Sequence, residues 1–140
     1  MGYTRYWWAG NPALSPPTQA QWDEALADCA RLVDAASDRG IELCREGNSA
    51  TMFGFNGARD GHETFVIPRD ISQLEASFSG TCGWFCKTAR KPYDLVVAAC
   101  LFRLRDTGGL VSESDGDNDD EQAAAWASEV LGRPISAELS

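Results

Sequence analysis

Trp22, Leu26, Cys29, Val33 and Ala36 recur at steps of three and four residues, a spacing that lays them along one stripe of a helix. The stripe opens behind Ser15-Pro16-Pro17-Thr18, with Thr18 and Gln21 at capping-box spacing, and closes at Gly40. Such a helix has to bury its apolar side against a second layer of structure, and the rest of the chain indicates what that layer is.

The segment Tyr3–Trp8 is aromatic and carries threonine, which suits a strand. Period two puts Tyr3, Arg5 and Trp7 on one face and Thr4, Tyr6 and Trp8 on the other. Ile41–Cys44 predicts a short strand and Glu46-Gly47-Asn48 a turn. Thr51–Asn56 alternates Phe53 and Phe55 with smaller residues, as a half-buried strand does, and Gly57–Gly61 turns it into a partner strand, His62–Ile67. Pro68-Arg69-Asp70 breaks that hairpin, and Ile71–Phe78 reads as one or two helical turns. Trp84–Thr88 predicts another strand. Pro92 stands where a first helical residue belongs, and Tyr93, Val96, Val97, Cys100 and Leu104 mark a buried helix running to about Asp106. Leu110-Val111 predicts a last short strand, and Gln122–Leu131 a short helix carrying Trp126 and Val130. Between them, residues 113–121 carry Glu113, Asp115, Asp117, Asp119, Asp120 and Glu121 with almost nothing apolar, the composition of a mobile acidic loop. The expected fold is α+β over residues 1–140 as a single domain: a small antiparallel or mixed sheet with two main helices packed on one face.

Composition narrows the function. Of 140 residues, 44% are apolar and 24% charged, the balance of a folded domain, and the net charge is −9. That charge argues against a nucleic acid polymer or an anionic membrane as partner, because both require many lysines and arginines. The opening Gly2–Trp8 is too polar for a secretion signal. The apolar run Leu95–Phe102 is too short to span a bilayer. Five cysteines, Cys29, Cys44, Cys82, Cys86 and Cys100, form an odd set. Free thiols and a cytoplasmic location are therefore expected.

Against this acidic background one segment is basic: Phe85-Cys86-Lys87-Thr88-Ala89-Arg90-Lys91-Pro92-Tyr93-Asp94. It joins a predicted strand to a helix start, where free N–H groups and the helix dipole favour an anion. Arg90 can grip a phosphate or carboxylate through two parallel hydrogen bonds. Lys87 and Lys91 act as point charges, and Thr88 adds a hydroxyl donor. The competing structural reading is that these cations pair with Asp94, Glu63 or the acidic segment.

Other residues carry alternative chemistry. His62 is the single histidine, so proton transfer by imidazole near neutral pH falls to it. Glu63, if it faces inward, needs a cation such as Lys87 or Arg90; the alternative is a structural brace. Cys86 beside Lys87 and Arg90 is a candidate nucleophile, or else an inert thiol. Cys82 and Cys86 with His62 and Cys44 could in principle supply four zinc ligands, but the Cys82–Cys86 spacing has no second matched pair. Cys29 and Cys100 lie on helix stripes and read as core. Asp115-Gly116-Asp117-Asn118-Asp119 fails as a calcium loop, with Asp120 where glycine and Trp126 where glutamate is required. Tyr3, Arg5 and Trp7 form either a stacking platform or buried core.

Three blocks, Gly2-Tyr3-Thr4-Arg5-Tyr6-Trp7, Phe55-Asn56-Gly57 with His62-Glu63-Thr64-Phe65, and Phe85 through Asp94, resemble those of a family of small uncharacterised proteins met in bacterial and phage genomes. The resemblance extends to about Leu104 and implies no activity, cofactor or catalytic residue. It implies that the three blocks belong together, and we expect them to converge at one pocket. That family commonly has His at the position of Arg5, so a titrating or metal-binding role there is not implied here. The functional expectation is the binding of a small anionic, nucleotide-like ligand at the basic turn, with sequestration as a purpose that fits. The ligand set is Lys87, Thr88, Arg90 and Lys91, with Asn56, Glu63, Tyr93 and Arg5 around it. An enzyme (hydrolase or transferase) using Cys86 or His62, and a protein-interaction module, are the alternatives. No metal or cofactor is called for.

Overall fold

A computed structural model describes residues 3–9, 17–77, 84–114 and 120–137. The chain forms β1 (Thr4–Ala9), α1 (Gln19–Ala35), a 3-10 turn (Ala36–Arg39), β2 (Leu43–Cys44), β3 (Met52–Gly57), β4 (Phe65–Pro68), α2 (Ile71–Ser77), β5 (Trp84–Lys87), α3 (Asp94–Arg105), β6 (Leu110–Ser114) and α4 (Asp120–Leu131). This is an α+β fold, and every strand pairing is antiparallel. The strands divide into two three-stranded sheets, ordered β5-β1-β6 and β2-β3-β4. Of the residues read above, Gly2, Ser15-Pro16, Phe78, Cys82 and residues 115–119 lie outside the described residues.

Local chemistry explains the best-defined element. The Thr18 hydroxyl accepts from the Gln21 amide at 3.1 Å and the Gln21 side chain accepts from the Thr18 amide at 2.9 Å, closing the capping box. Trp22, Leu26, Cys29 and Val33 are buried. The helix tightens into the 3-10 turn and ends at Gly40, whose φ of 75° is open to glycine at little cost. Its start is stapled to the β4–α2 corner. Trp22 Nε1 donates to Pro68 O at 3.1 Å, Gln19 Nε2 to Arg69 O at 2.7 Å, and the Ile71 amide to Gln19 Oε1 at 3.0 Å.

The helix α3 is buried at every residue from Val96 to Leu104, as befits a helix apolar on all sides. It packs between α1 and α4, which also touch each other. Arg103, within that run, is neutralised by Asp28 at 2.7 Å. The two main helices, α1 and α3, are thus joined in the helical layer by the expected short helix, α4. The start of α3 differs from expectation: Pro92 lies in the preceding turn and the helix begins at Asp94, after the Lys91 and Asp94 amides have closed turns onto Thr88 O and Lys91 O.

Two further corrections concern the strands. His62–Thr64 precede β4 instead of belonging to it, so the hairpin connection runs from Ala58 to Thr64. Part of the acidic segment is ordered: Glu113 pairs with Tyr6 in β6, while Asp120 and Glu121 form the first turn of α4. The sheets meet through aromatic packing, Trp7 against Phe65 with ring centroids 5.1 Å apart. Among the described residues no helix is long and apolar enough to cross a membrane.

Candidate functional site

Pairing in the β5-β1-β6 sheet fixes which residues share a face. Arg5 stands opposite Cys86 and Ser114, and Trp7 opposite Trp84 and Ser112. This is the inward side: Tyr3, Arg5, Trp7 and Cys86 are all nearly inaccessible. The stacking platform expected from Tyr3, Arg5 and Trp7 is therefore core, the other reading of those residues.

A buried guanidinium requires its donors to be satisfied. Arg5 Nε and one Nη reach the two oxygens of Asp94 at 2.7 and 2.8 Å, and the same Nη reaches Asp120 at 2.9 Å. Burial disfavours its charge, but the hydrogen bond and charge of Asp94, with Asp120 behind it, more than offset this and hold the pKa above its ordinary value. The Thr88 hydroxyl donates to the same Asp94 at 2.7 Å. Arg5 and Thr88 are thus internal braces, not ligand donors.

The second and third blocks join at Glu63. Its amide donates to Lys87 O at 3.1 Å and its carboxylate accepts from the Lys87 amide at 2.8 Å, so a side chain completes a strand-like pairing on the outer edge of β5. The Glu63 carbonyl accepts from the buried Tyr93 hydroxyl and from the Cys86 thiol at 3.4 Å. The cation expected opposite Glu63 is therefore a backbone N–H. Asn56, also buried, is saturated: its amide nitrogen donates to His62 O, Thr64 Oγ1 and Glu46 Oε2, and its oxygen accepts from the Gly57 and His62 amides. Tyr93 and Asn56 are structural. The three blocks do converge, in a packed hydrogen-bonded junction.

The candidate nucleophile is held protonated. Burial, followed by the charges of Glu63 and Asp94, pushes the Cys86 thiol up to about 12, against the opposing hydrogen bond of Tyr93. His62 is exposed at the surface. Among the described residues no cluster of three or more His, Cys, Asp or Glu is placed to hold a metal ion.

The turn itself is unusual. Ala89 and Arg90 both have positive φ, 53° and 58°, beneath a Thr88 O to Lys91 amide hydrogen bond of 3.0 Å. Two successive left-handed residues other than glycine cost about 1–2 kcal/mol each. The conformation is held by the Thr88 and Ala89 amides, which both donate to Tyr3 O at 3.0 and 3.2 Å. It lays the Arg90 guanidinium over the Tyr3 ring, 4.5 Å from its centroid. Lys91 pairs with Asp60 at 3.2 Å, on the surface. The Lys87 ammonium is exposed and meets no carboxylate among the described residues.

Sequence reasoning missed the opposite face of the same sheet. There Tyr6 lies beside Phe85, and Thr4 beside Lys87. Tyr6 is 39% and Phe85 52% exposed, with Trp8 and Val111 half-covered and Glu113 exposed on the same side. Two uncovered aromatic rings in register are costly unless something covers them in use. The signal was the alternation of β1, once the Arg5 side is known to be inside. Comparison of the chain with protein-family models, curated proteins and solved structures gives no significant match.

Proposed function

We propose that the protein binds a small anionic, nucleotide-like ligand on the outer face of the β5-β1-β6 sheet, at the edge of the basic turn. The observation that carries this reading is the exposed, in-register Tyr6–Phe85 pair ending at an unpaired Lys87. Aromatic rings stack on planar bases, worth about 1–3 kcal/mol per base. Lys87 supplies the charge for one phosphate, and the Arg90 guanidinium, held over the Tyr3 ring at the turn beyond, adds to the local positive potential. Glu63 Oε1 is engaged by the Lys87 amide, which leaves Oε2 for a ring amino group.

The electrostatics favour a mononucleotide over a polymer. One or two local cations match one or two phosphates, whereas the net charge of −9 repels a long polyanion. Binding without turnover, as in sequestration, is favoured by the protonated state of Cys86. Free thiols at Cys29, Cys44, Cys86 and Cys100 suit a reducing cytoplasm, where such ligands are abundant.

The test is thermal melting and calorimetric titration with nucleoside mono-, di- and triphosphates. At least one is expected to raise Tm and bind one-to-one. Phe85→Ala and Lys87→Ala should each remove the shift while leaving the ligand-free Tm unchanged, because both side chains are exposed. A panel without any shift, or a shift that survives both substitutions, overturns the proposal.

A further inference from the structure

A concavity lies away from that sheet face, where the start of α1, the ends of β3 and β4, α2 and the first residue of β5 meet. Its volume is about 870 Å³, and Met52, Pro68 and Trp84 give it apolar walls beside Arg69, Asp70 and Gln73. That is within the size range of small-molecule sites, which combine apolar walls with a few fixed polar groups.

The charges on this wall are committed internally. Arg69 Nε donates to Ser49 O at 2.8 Å and Met52 O at 3.1 Å, and one Nη donates to Asn48 Oδ1 at 2.7 Å. Its guanidinium also stacks on Phe53 at 5.7 Å. Asp70 accepts from the Ser72 amide and hydroxyl at 3.0 and 2.7 Å. One cation and one anion, each already partnered, give the wall no net pull on an ion.

One wall group is not partnered. The indole Nε1 of Trp84 is shielded from solvent and has no hydrogen-bond acceptor among the described residues, and the same is true of its cross-strand neighbour Trp7. Trp22, by contrast, finds Pro68 O. Buried indole N–H groups normally have a partner, and of the two orphans only that of Trp84 belongs to a residue lining this cavity, where an acceptor from outside the chain can satisfy it.

We infer that this cavity is a binding site for an uncharged, flat, mainly apolar small molecule carrying a hydrogen-bond acceptor, which the Trp84 indole N–H reads. Met52 and Pro68 cover its apolar surface, and in the bound state the Trp84 ring is turned so that its N–H, shielded in this structure, meets the acceptor. The site is separate from the Tyr6–Phe85 face, because Trp84 lies on the inward side of β5 and Phe85 on the outward side.

The experiment uses the full chain and the uncharged naphthyl ketone prodan as probe. Its emission should shift to the blue with saturable one-to-one binding and with energy transfer from tryptophan. Gln73 is exposed, so Gln73→Trp should fill the mouth at unchanged Tm and weaken prodan at least tenfold. Trp84→Phe keeps the ring and removes the donor. It should weaken prodan about tenfold, the worth of one hydrogen bond, and leave the ketone-free analogue 2-dimethylaminonaphthalene within twofold. Phe85→Ala should leave both probes unaffected. No saturable signal, or wild-type affinity in Gln73→Trp, would eliminate the cavity as a site. Equal loss of both probes in Trp84→Phe would remove the acceptor from its specificity.

Discussion

Arg5 lies among Tyr3, Trp7 and Cys86, a setting in which a guanidinium persists only while its donors are held. Asp94→Ala leaves that charge buried with only the partly exposed Asp120 as partner, and should lower stability by about 3–5 kcal/mol in urea titration. Asp120→Ala should cost about 1 kcal/mol or less. Comparable losses would mean that Asp120 is the main partner. Cys86 leads to a prediction on alkaline pH. The folded thiol keeps its proton up to about 12 while the unfolded thiol releases it near 9. Between those values the unfolded chain binds fewer protons, so the contribution of this thiol is level below about pH 9 and is lost as pH rises beyond it. The raised Tyr3 and Tyr93 values act in the same direction higher up. Urea unfolding at pH 8, 9.5 and 10.5 measures the slope, which Cys86→Ala should reduce. Among the described cysteines, iodoacetamide at neutral pH should modify the half-exposed Cys44 before Cys86, Cys29 or Cys100. Sequence reasoning picked out Thr88, Tyr93 and Asn56 as polar groups that matter, and they do make unusual hydrogen bonds. It misjudged their direction, because a hydroxyl or amide reads the same whether it meets a ligand or the chain's own backbone.

At the level of elements, local signals were legible where a helix or turn carries its own instructions. The Thr18–Gln21 box and Gly40 bound α1 as the spacing predicts. The signals fade where pairing is long-range. Glu113 lacks the composition of a strand residue, yet it is carried into β6 because its neighbours Ser112 and Leu110 face the core and its own side faces water. The same holds at Pro92, whose proline signal is overruled by the turn fastened to Tyr3 O. That turn invites a gain: Ala89→Gly relieves a left-handed alanine and should raise stability by about 0.5–1 kcal/mol, or Tm by about 2–4 °C. A fall would place the strain elsewhere. In β3, Gly54 has Gly47 and Phe65 backbone atoms 2.8–3.0 Å from where a Cβ would sit. Gly54→Ala should therefore cost about 1–3 kcal/mol, read by thermal melting.

For the molecule as a whole, residues of both sheets and of α1, α3 and α4 belong to one apolar cluster, with Trp7 and Phe65 at the join. Unfolding should accordingly be a single event, with tryptophan fluorescence and far-ultraviolet circular dichroism giving coincident transitions. Two separate midpoints would show that each sheet melts with its own set of helices. The α+β class was readable from alternating helical and strand patterns, but the division into two sheets was not, since no local pattern states which strand will lie next to which. The bridging role of Glu63 has a further consequence for how the protein lives at high concentration. Exposed sheet margins are where one chain recruits another into fibres. At Lys87 that margin is already fastened to the protein's own hairpin connection, so an incoming strand would first have to prise Glu63 loose. The residue that ties the two halves together also closes that stretch of β5 to an incoming strand.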